Sequence, residues 1–402
     1  MSANDHNEQF HRISRLPPYV FEEVNKLKLQ LRRSGADIID FGMGNPDLSP
    51  PKHIVDKLCE AVVKPDVHGY SSSRGIPGLR RACAAYYQRR FGVELNPETE
   101  VVATLGSKEG FANLAQAITA PGDLVLVPEP SYPIHAYGFV IAGAALRQIP
   151  AHDPESYLRG LHEAVTSSTP SPTAAVVCYP SNPTAQTASL DFYREVVALA
   201  KRYDLMILSD LAYAELYFDE RPPSIFEVDG AKDVAVETIS LSKMYSMAGW
   251  RVGFAVGNQR MIGALTRVKS YLDYGAFTPI QVAACAALNG PQDYLDEMRA
   301  TYRRRRDALV ESFGDAGWQI PPPAATMFCW APLPEKMAHL GSLEFARRLM
   351  VESHVAVSPG VGFGPAGEGY VRLALVENRQ RIRQAARNLK EFLRNSGAKA
   401  AE

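Results

Sequence analysis

Residues 235–256 read AVETISLSKMYSMAGWRVGFAV. Two short apolar runs, 235–239 and 252–256, flank a polar segment that carries Ser240, Ser242, Lys243 and Arg251. Similar runs recur upstream at 101–104, 124–127, 174–179 and 205–210. Most lack polar alternation, as strands covered on both faces should. Between them Phe111, Leu114, Ala115 and Ile118 repeat at helical spacing, as do Tyr193, Val196, Val197 and Ala200. Strand followed by helix, repeatedly, predicts an α/β fold with a mostly parallel central sheet wrapped by helices.

Downstream the pattern changes. A long helical region over 258–313 gives way to strand-like runs at 327–331, 354–358 and 370–376. A last segment places Ile382, Ala385, Ala386, Leu389, Phe392 and Leu393 on one helical face. The chain is therefore expected to divide into a large domain, 50–288, and a smaller α+β domain in which 289–402 is joined by an N-terminal arm, 1–49.

The composition suits a small-molecule enzyme. In 402 residues, 43 lysines and arginines face 44 aspartates and glutamates. No basic excess exists to follow a nucleic-acid backbone or an anionic membrane. Cys59, Cys83, Cys178, Cys285 and Cys329 are widely spaced and form no CxxC pair, and the nine histidines form no HExxH. Reduced thiols and no metal are expected. The start, MSANDHNEQF, is polar, and no window approaches the ~20 apolar residues of a membrane span. A cytoplasmic protein is expected.

In an open α/β sheet, ligands bind beyond the carboxyl ends of the strands. The run at 101 ends in Leu105-Gly106-Ser107-Lys108-Glu109-Gly110 and then a helix, which offers free N–H groups and a positive helix end to an anion. The run at 174 leads into Tyr179-Pro180-Ser181-Asn182-Pro183-Thr184, that at 205 into Ser209-Asp210 and Tyr213, and that at 235 into Ser240-Leu241-Ser242-Lys243. A carboxylate, an amide, an amine, a phenol and an anion cradle should meet in one crevice.

Taken together, SLSKMYSMAGWRVGF, YPSNPTA, SDLAYAEL, LGSKEG and YVRLALVEN resemble the fold-type I, class I/II aminotransferases, over nearly the whole chain. KSYLDYGAFTPIQVAA, ATMFCWAPLPE and VENRQRIRQA look closest to the bacterial glutamate–pyruvate (alanine) aminotransferases. The resemblance implies pyridoxal 5'-phosphate (PLP) as cofactor, held as a Schiff base on Lys243, which also serves as general base. It assigns Asp210 to the ring nitrogen, and Tyr213 and Asn182 to the ring hydroxyl. Tyr132 would stack on the ring. Ser107, Lys108, Ser240, Ser242 and Arg251 would bind the phosphate. Tyr70, in HGYSSSRGIPGLR, would reach the phosphate of a neighbouring subunit, so a homodimer with shared sites is implied.

An amino acid and its 2-oxo acid share a carboxylate. Arg372 suits it, because it points from one face of a strand while Val371, Leu373 and Leu375 point from the other. Gly44, in FGMGNPD, Asn182 and Tyr19 would complete that pocket. The chain departs from the family at Ala185, where glycine is usual after Asn-Pro-Thr, and at Gly78, where glutamate is frequent. The segment 362–367, GFGPAG, satisfies GxGxxG but leads into a strand, so it is read as a turn that sets Arg372 in place, not as a dinucleotide site.

The expected reaction is transamination between an L-amino acid, alanine above all, and a 2-oxo acid of the pair 2-oxoglutarate/pyruvate, with 2-oxoglutarate as the acceptor from alanine. Alternatives are a transaminase for aspartate, methionine or diaminopimelate, or a PLP-dependent lyase or oxidase on the same fold. A PLP-domain regulator fused to a DNA reader is disfavoured by the short stretch before Gly42 and by the near-zero net charge.

Overall fold

The structure, a computed structural model, describes residues 10–399. Its strands are β1 (Ile39–Asp40), β2 (Val101–Thr104), β3 (Leu124–Glu129), β4 (Ala145–Pro150), β5 (Pro172–Val177), β6 (Met206–Asp210), β7 (Ala235–Ser240), β8 (Gly253–Gly257), β9 (Phe328–Pro332), β10 (Val355–Ala356), β11 (Ser358–Pro359) and β12 (Tyr370–Ala374). Seven of them form the main sheet in the order β2-β8-β7-β6-β5-β3-β4.

This sheet is parallel except for β8, which runs antiparallel to both β2 and β7. The exception has a local cause. Between β7 and β8 the chain holds only the one-turn helix Leu241–Met244 and the 3-10 turn Ala248–Trp250, too little to make a helical crossover. The chain therefore doubles back beside the strand it has just left.

Alternate residues along the strands feed two separate cores. Val101, Ala103, Leu126, Ala175, Val177, Ile207 and Ile239 join Leu79, Tyr86 and Tyr87 on one face. Val102, Val125, Val127, Ala174, Val176, Leu208 and Val236 join Phe111, Leu114, Phe139 and Leu265 on the other. With both faces covered, the central strands need apolar residues at every position, which is why they read as unbroken runs.

β4 was not anticipated. Its sequence, ALRQIP, borders the sheet with a largely exposed face, so it carries no apolar run. The expected helical region 258–313 is three helices, Gln259–Leu272, Thr278–Asn289 and Asp293–Asp315. The first break contains Gly275, which adopts φ +78° in tight contact with Ser72, a place no side chain fits.

Downstream, β9, β11 and β12 form an antiparallel sheet in the order β11-β12-β9, while β1 pairs in parallel with β10. The helix Arg379–Lys399 closes this part, with Ile382, Ala385, Ala386, Leu389 and Phe392 buried. Residues 360–367 form two 3-10 turns that lead into β12. All five cysteines are free thiols; Cys83, Cys178 and Cys329 are buried and Cys59 is exposed. Among the described residues no helix is long and apolar enough to cross a membrane.

Candidate active site

Because β2, β3, β5, β6 and β7 point the same way, their carboxyl ends open on one edge. The antiparallel β8 starts there, since Gly253 pairs with Ser240, and this brings Arg251 to the same edge. A cleft of about 380 Å³ lies over it. Its wall contains Tyr19, Gly44, Ser107, Lys108, Tyr132, Asn182, Asp210, Tyr213, Ser240, Ser242, Lys243, Arg251 and Arg372, together with Met43, Cys178 and Phe328. Of the residues expected to bind cofactor or substrate, only Tyr70 lies elsewhere.

Lys243 sits on the one-turn helix after β7, and its Nζ donates to the Gly44 carbonyl at 3.0 Å. Burial, reinforced by the nearby charges of Arg372 and Arg251, lowers its pKa from the usual 10.5 to about 8. Both effects disfavour the ammonium form. The amine is thus available as a nucleophile or base near neutral pH.

Asp210 ends β6. Its Oδ1 accepts from the Ala212 N–H at 3.1 Å, and its Oδ2 lies 2.9 Å from Nε2 of His135. A carboxylate can only accept, so the imidazole presents Nε2–H to it. His135 is fully buried and its Nδ1 has no partner. Sequence reasoning missed this histidine, although it stands three residues after Tyr132 at another strand end, in the first turn of the helix Ile134–Ala142. Cys178 completes a close trio with His135 and Asp210. Burial pushes its thiol pKa well up, so the sulfur keeps its proton.

The expected anion cradle corresponds to the N-terminus of the helix Ser107–Ile118. Its N-cap is Gly106, and no side chain caps the first turn. A Cβ at 106 would run into the Arg251 guanidinium, so glycine lets the two meet. Arg251 is held in place by the Ala248 and Leu105 carbonyls, which accept from Nη1 at 3.0 Å and Nη2 at 3.2 Å. Ser240 Oγ accepts from the Ser242 N–H at 3.2 Å. The Lys108 ammonium lies 5.9 Å from the centre of the Tyr132 ring.

Arg372 reaches the cleft from β12 and is buried. Nη1 donates to Asn182 Oδ1 at 2.6 Å, and the guanidinium lies 4.0 Å from the centre of the Phe328 ring and 4.6 Å from that of Phe363. Burial lowers its pKa to about 10, so it remains a cation at neutral pH, yet its Nε has no partner. Among the described residues no carboxylate pairs with it. A Cβ at Gly44 would come within 2.6 Å of Phe328 and 3.4 Å of Arg372, so glycine is required for this packing. Burial raises the Tyr213 pKa well above its usual value, so the phenol keeps its hydrogen. Ala185 adopts φ +57°, the left-handed conformation that explains why glycine is usual at this point of the loop.

Tyr70 lies outside the cleft of its own chain. It is 89% exposed and packs against Tyr274, with ring centres 4.6 Å apart, in a separate depression that His68 and Phe277 also line.

Comparison with known proteins agrees with this geometry. The family described as aminotransferase class I and II matches residues 36–389. A putative aminotransferase AatC of Rhizobium meliloti is 66% identical over 96% of each chain. The glutamate-pyruvate aminotransferase AlaC of Escherichia coli is 54% identical over 97% of this chain and 95% of its own. An LL-diaminopimelate aminotransferase of Dehalococcoides mccartyi is 43% identical over 96% of this chain and 99% of its own. The substrate-bound BacF structure from Bacillus subtilis superposes with a TM-score of 0.90 at 34% identity over 98% of each chain. The chain belongs to the class I and II aminotransferases, enzymes that depend on pyridoxal phosphate.

Proposed function

We propose that the protein transfers the amino group of L-alanine to a 2-oxo acid, with the cofactor held by the cleft residues described above. The observation that carries the substrate side of this reading is Arg372, a buried cation with an unused Nε–H and, among the described residues, no carboxylate opposite it. Such a charge is costly to bury alone and calls for an anionic ligand. A substrate carboxylate meets that need, with Asn182, Gly44 and Tyr19 around it.

The donor set also fits the cofactor. The free N–H groups of Ser107 and Lys108, with Ser240, Ser242 and Arg251, would hold its phosphate. Asp210, oriented by His135, would face the ring nitrogen; Asn182 and Tyr213 would face the ring hydroxyl; and Tyr132 would lie against the ring. Once bound, PLP supplies an electrophilic aldehyde and an electron sink. Lys243 would be its covalent partner, and its amine would be the base that moves the proton at the substrate α-carbon. Asp210 would favour this chemistry by keeping the ring nitrogen protonated.

Alanine is favoured by the likeness to the Escherichia coli glutamate-pyruvate enzyme. The small substrate also suits a cleft whose arginines, among the described residues, are Arg251 and Arg372 alone. The similarity to LL-diaminopimelate aminotransferases supports a second reading, with that diamino acid as donor. Single-turnover absorbance separates the two. L-Alanine should convert the cofactor rapidly, and pyruvate or 2-oxoglutarate should restore it. A fast response to LL-diaminopimelate and none to alanine would transfer the assignment. Ammonia release without a 2-oxo acid would instead indicate a lyase.

The reading includes a homodimer with shared sites and a division into a large domain, 50–288, and a smaller one built from 289–402 and the N-terminal arm. The exposed aromatic side chains of Tyr70, Tyr274 and Phe277 around one depression support the first of these.

A further inference from the structure

Behind the anion cradle, outside the cleft, lies a charged cluster built on a buried lysine and two partly buried carboxylates. Lys269, near the end of the helix Gln259–Leu272, is fully buried. Its Nζ lies 3.0 Å from Glu109 Oε1 and 2.9 Å from Asp273 Oδ2. Glu109 belongs to the first turn of the cradle helix, and its Oε2 accepts from the Leu105 N–H at 2.7 Å. Asn113 donates to the same carboxylate. Asp273 in turn accepts from the Gly275 N–H at 2.6 Å and, through its carbonyl, from Ser73 Oγ at 2.5 Å.

An acidic side chain in the first turn of a helix is attracted to the N–H groups there. At this helix those groups are the ones a phosphate needs. Glu109 is instead turned back, with its charge engaged by a buried ammonium and its second oxygen fixed on the strand side of Gly106. We propose that Lys269 is a positioning residue for the cofactor phosphate: it keeps the Glu109 carboxylate off the cradle, offsets its charge and ties the turn 105–107 to the loop 273–275. The inference rests on the cofactor reading given above. One ammonium against two carboxylates leaves a single formal negative charge behind the cradle, and loss of Lys269 would make it two.

The test compares the affinity of the cofactor-free protein for PLP and for pyridoxal, which lacks the phosphate, by absorbance titration. Wild-type protein should prefer PLP strongly; equal affinities would defeat the phosphate cradle itself. Lys269→Met should lose about tenfold in PLP affinity while pyridoxal binding is unchanged. The double variant Glu109→Gln/Lys269→Met should recover most of that loss, because the repelling charge is gone. With the wild-type preference established, an unchanged PLP-to-pyridoxal ratio in Lys269→Met, or an equal loss for both ligands, would overturn the role of Lys269 and leave the cradle standing. Should Lys269→Met fail to fold, Glu109→Gln carries the test. It removes one negative charge while Asp273 retains the lysine, so the preference for PLP should rise a few-fold; no change would overturn the proposal.

Discussion

A lysine buried beside two guanidinium groups gives up its proton more readily than one in water, and at Lys243 this brings the pKa to about 8. Capture of an aldehyde requires the neutral amine. Below that pKa the neutral fraction grows about tenfold per pH unit, and above it the gain levels off. Stopped-flow mixing of cofactor-free protein with PLP should therefore show a capture rate that climbs to about pH 8 and flattens, with Lys243→Ala showing no covalent capture. A rate still climbing at pH 10 would mean a solvated amine. Arg372 supports a second test of opposite signs. Arg372→Met should lower kcat/KM for alanine about 10- to 100-fold, the cost of a lost charge-assisted pair of ~1.5–3 kcal/mol. The same change removes an uncompensated buried charge, so the cofactor-free protein should melt at a higher temperature. Calorimetry showing a lower Tm would mean that the Asn182 and ring contacts of Arg372 outweigh its desolvation.

At the scale of elements, the cleft depends on strand ends, and His135 shows how one element supports another. The helix after β3 places the imidazole 2.9 Å from Asp210 at the end of β6. His135→Phe should leave the cofactor bound but lower kcat about tenfold, since the Asp210 carboxylate loses the hydrogen bond it accepts from Nε2–H. An unaltered kcat at full cofactor occupancy would show that Ala212 N–H alone suffices to orient Asp210. The strands from β5 to β8 were legible because sheet faces buried on both sides demand continuous apolar runs, and their polar ends marked Asn182, Asp210 and Lys243. β4 was not legible, because a half-exposed edge strand has no such run. His135 escaped notice for a related reason: burial and a carboxylate partner define its role, and neither leaves a local pattern. The direction of β8 was likewise hidden, since an apolar run has no polarity of its own and only the shortness of its connection sets it.

At the scale of the whole molecule, Tyr70 has no access to the cleft of its own chain, so any role in a site must be exercised in another copy. Tyr274 and Phe277, which line the same depression, are also exposed, 61% and 41% respectively, a large apolar area to leave in water. On the shared-site homodimer proposed above, a two-fold pair would bury the same patch on both partners, and each Tyr70 would serve the other's cradle. This geometry makes a prediction that no monomeric enzyme could satisfy. Lys243→Ala subunits lack the amine but keep Tyr70, and Tyr70→Ala subunits have the reverse defect. After equal amounts are unfolded and refolded together, half of the dimers should be mixed, each with one intact site and one doubly defective site. At low cofactor concentration, where Tyr70→Ala alone loses PLP, the mixture should recover about a quarter of wild-type activity. Activity no greater than the average of the two separate variants, in a sample that sedimentation shows to be dimeric, would place each active site wholly within one chain.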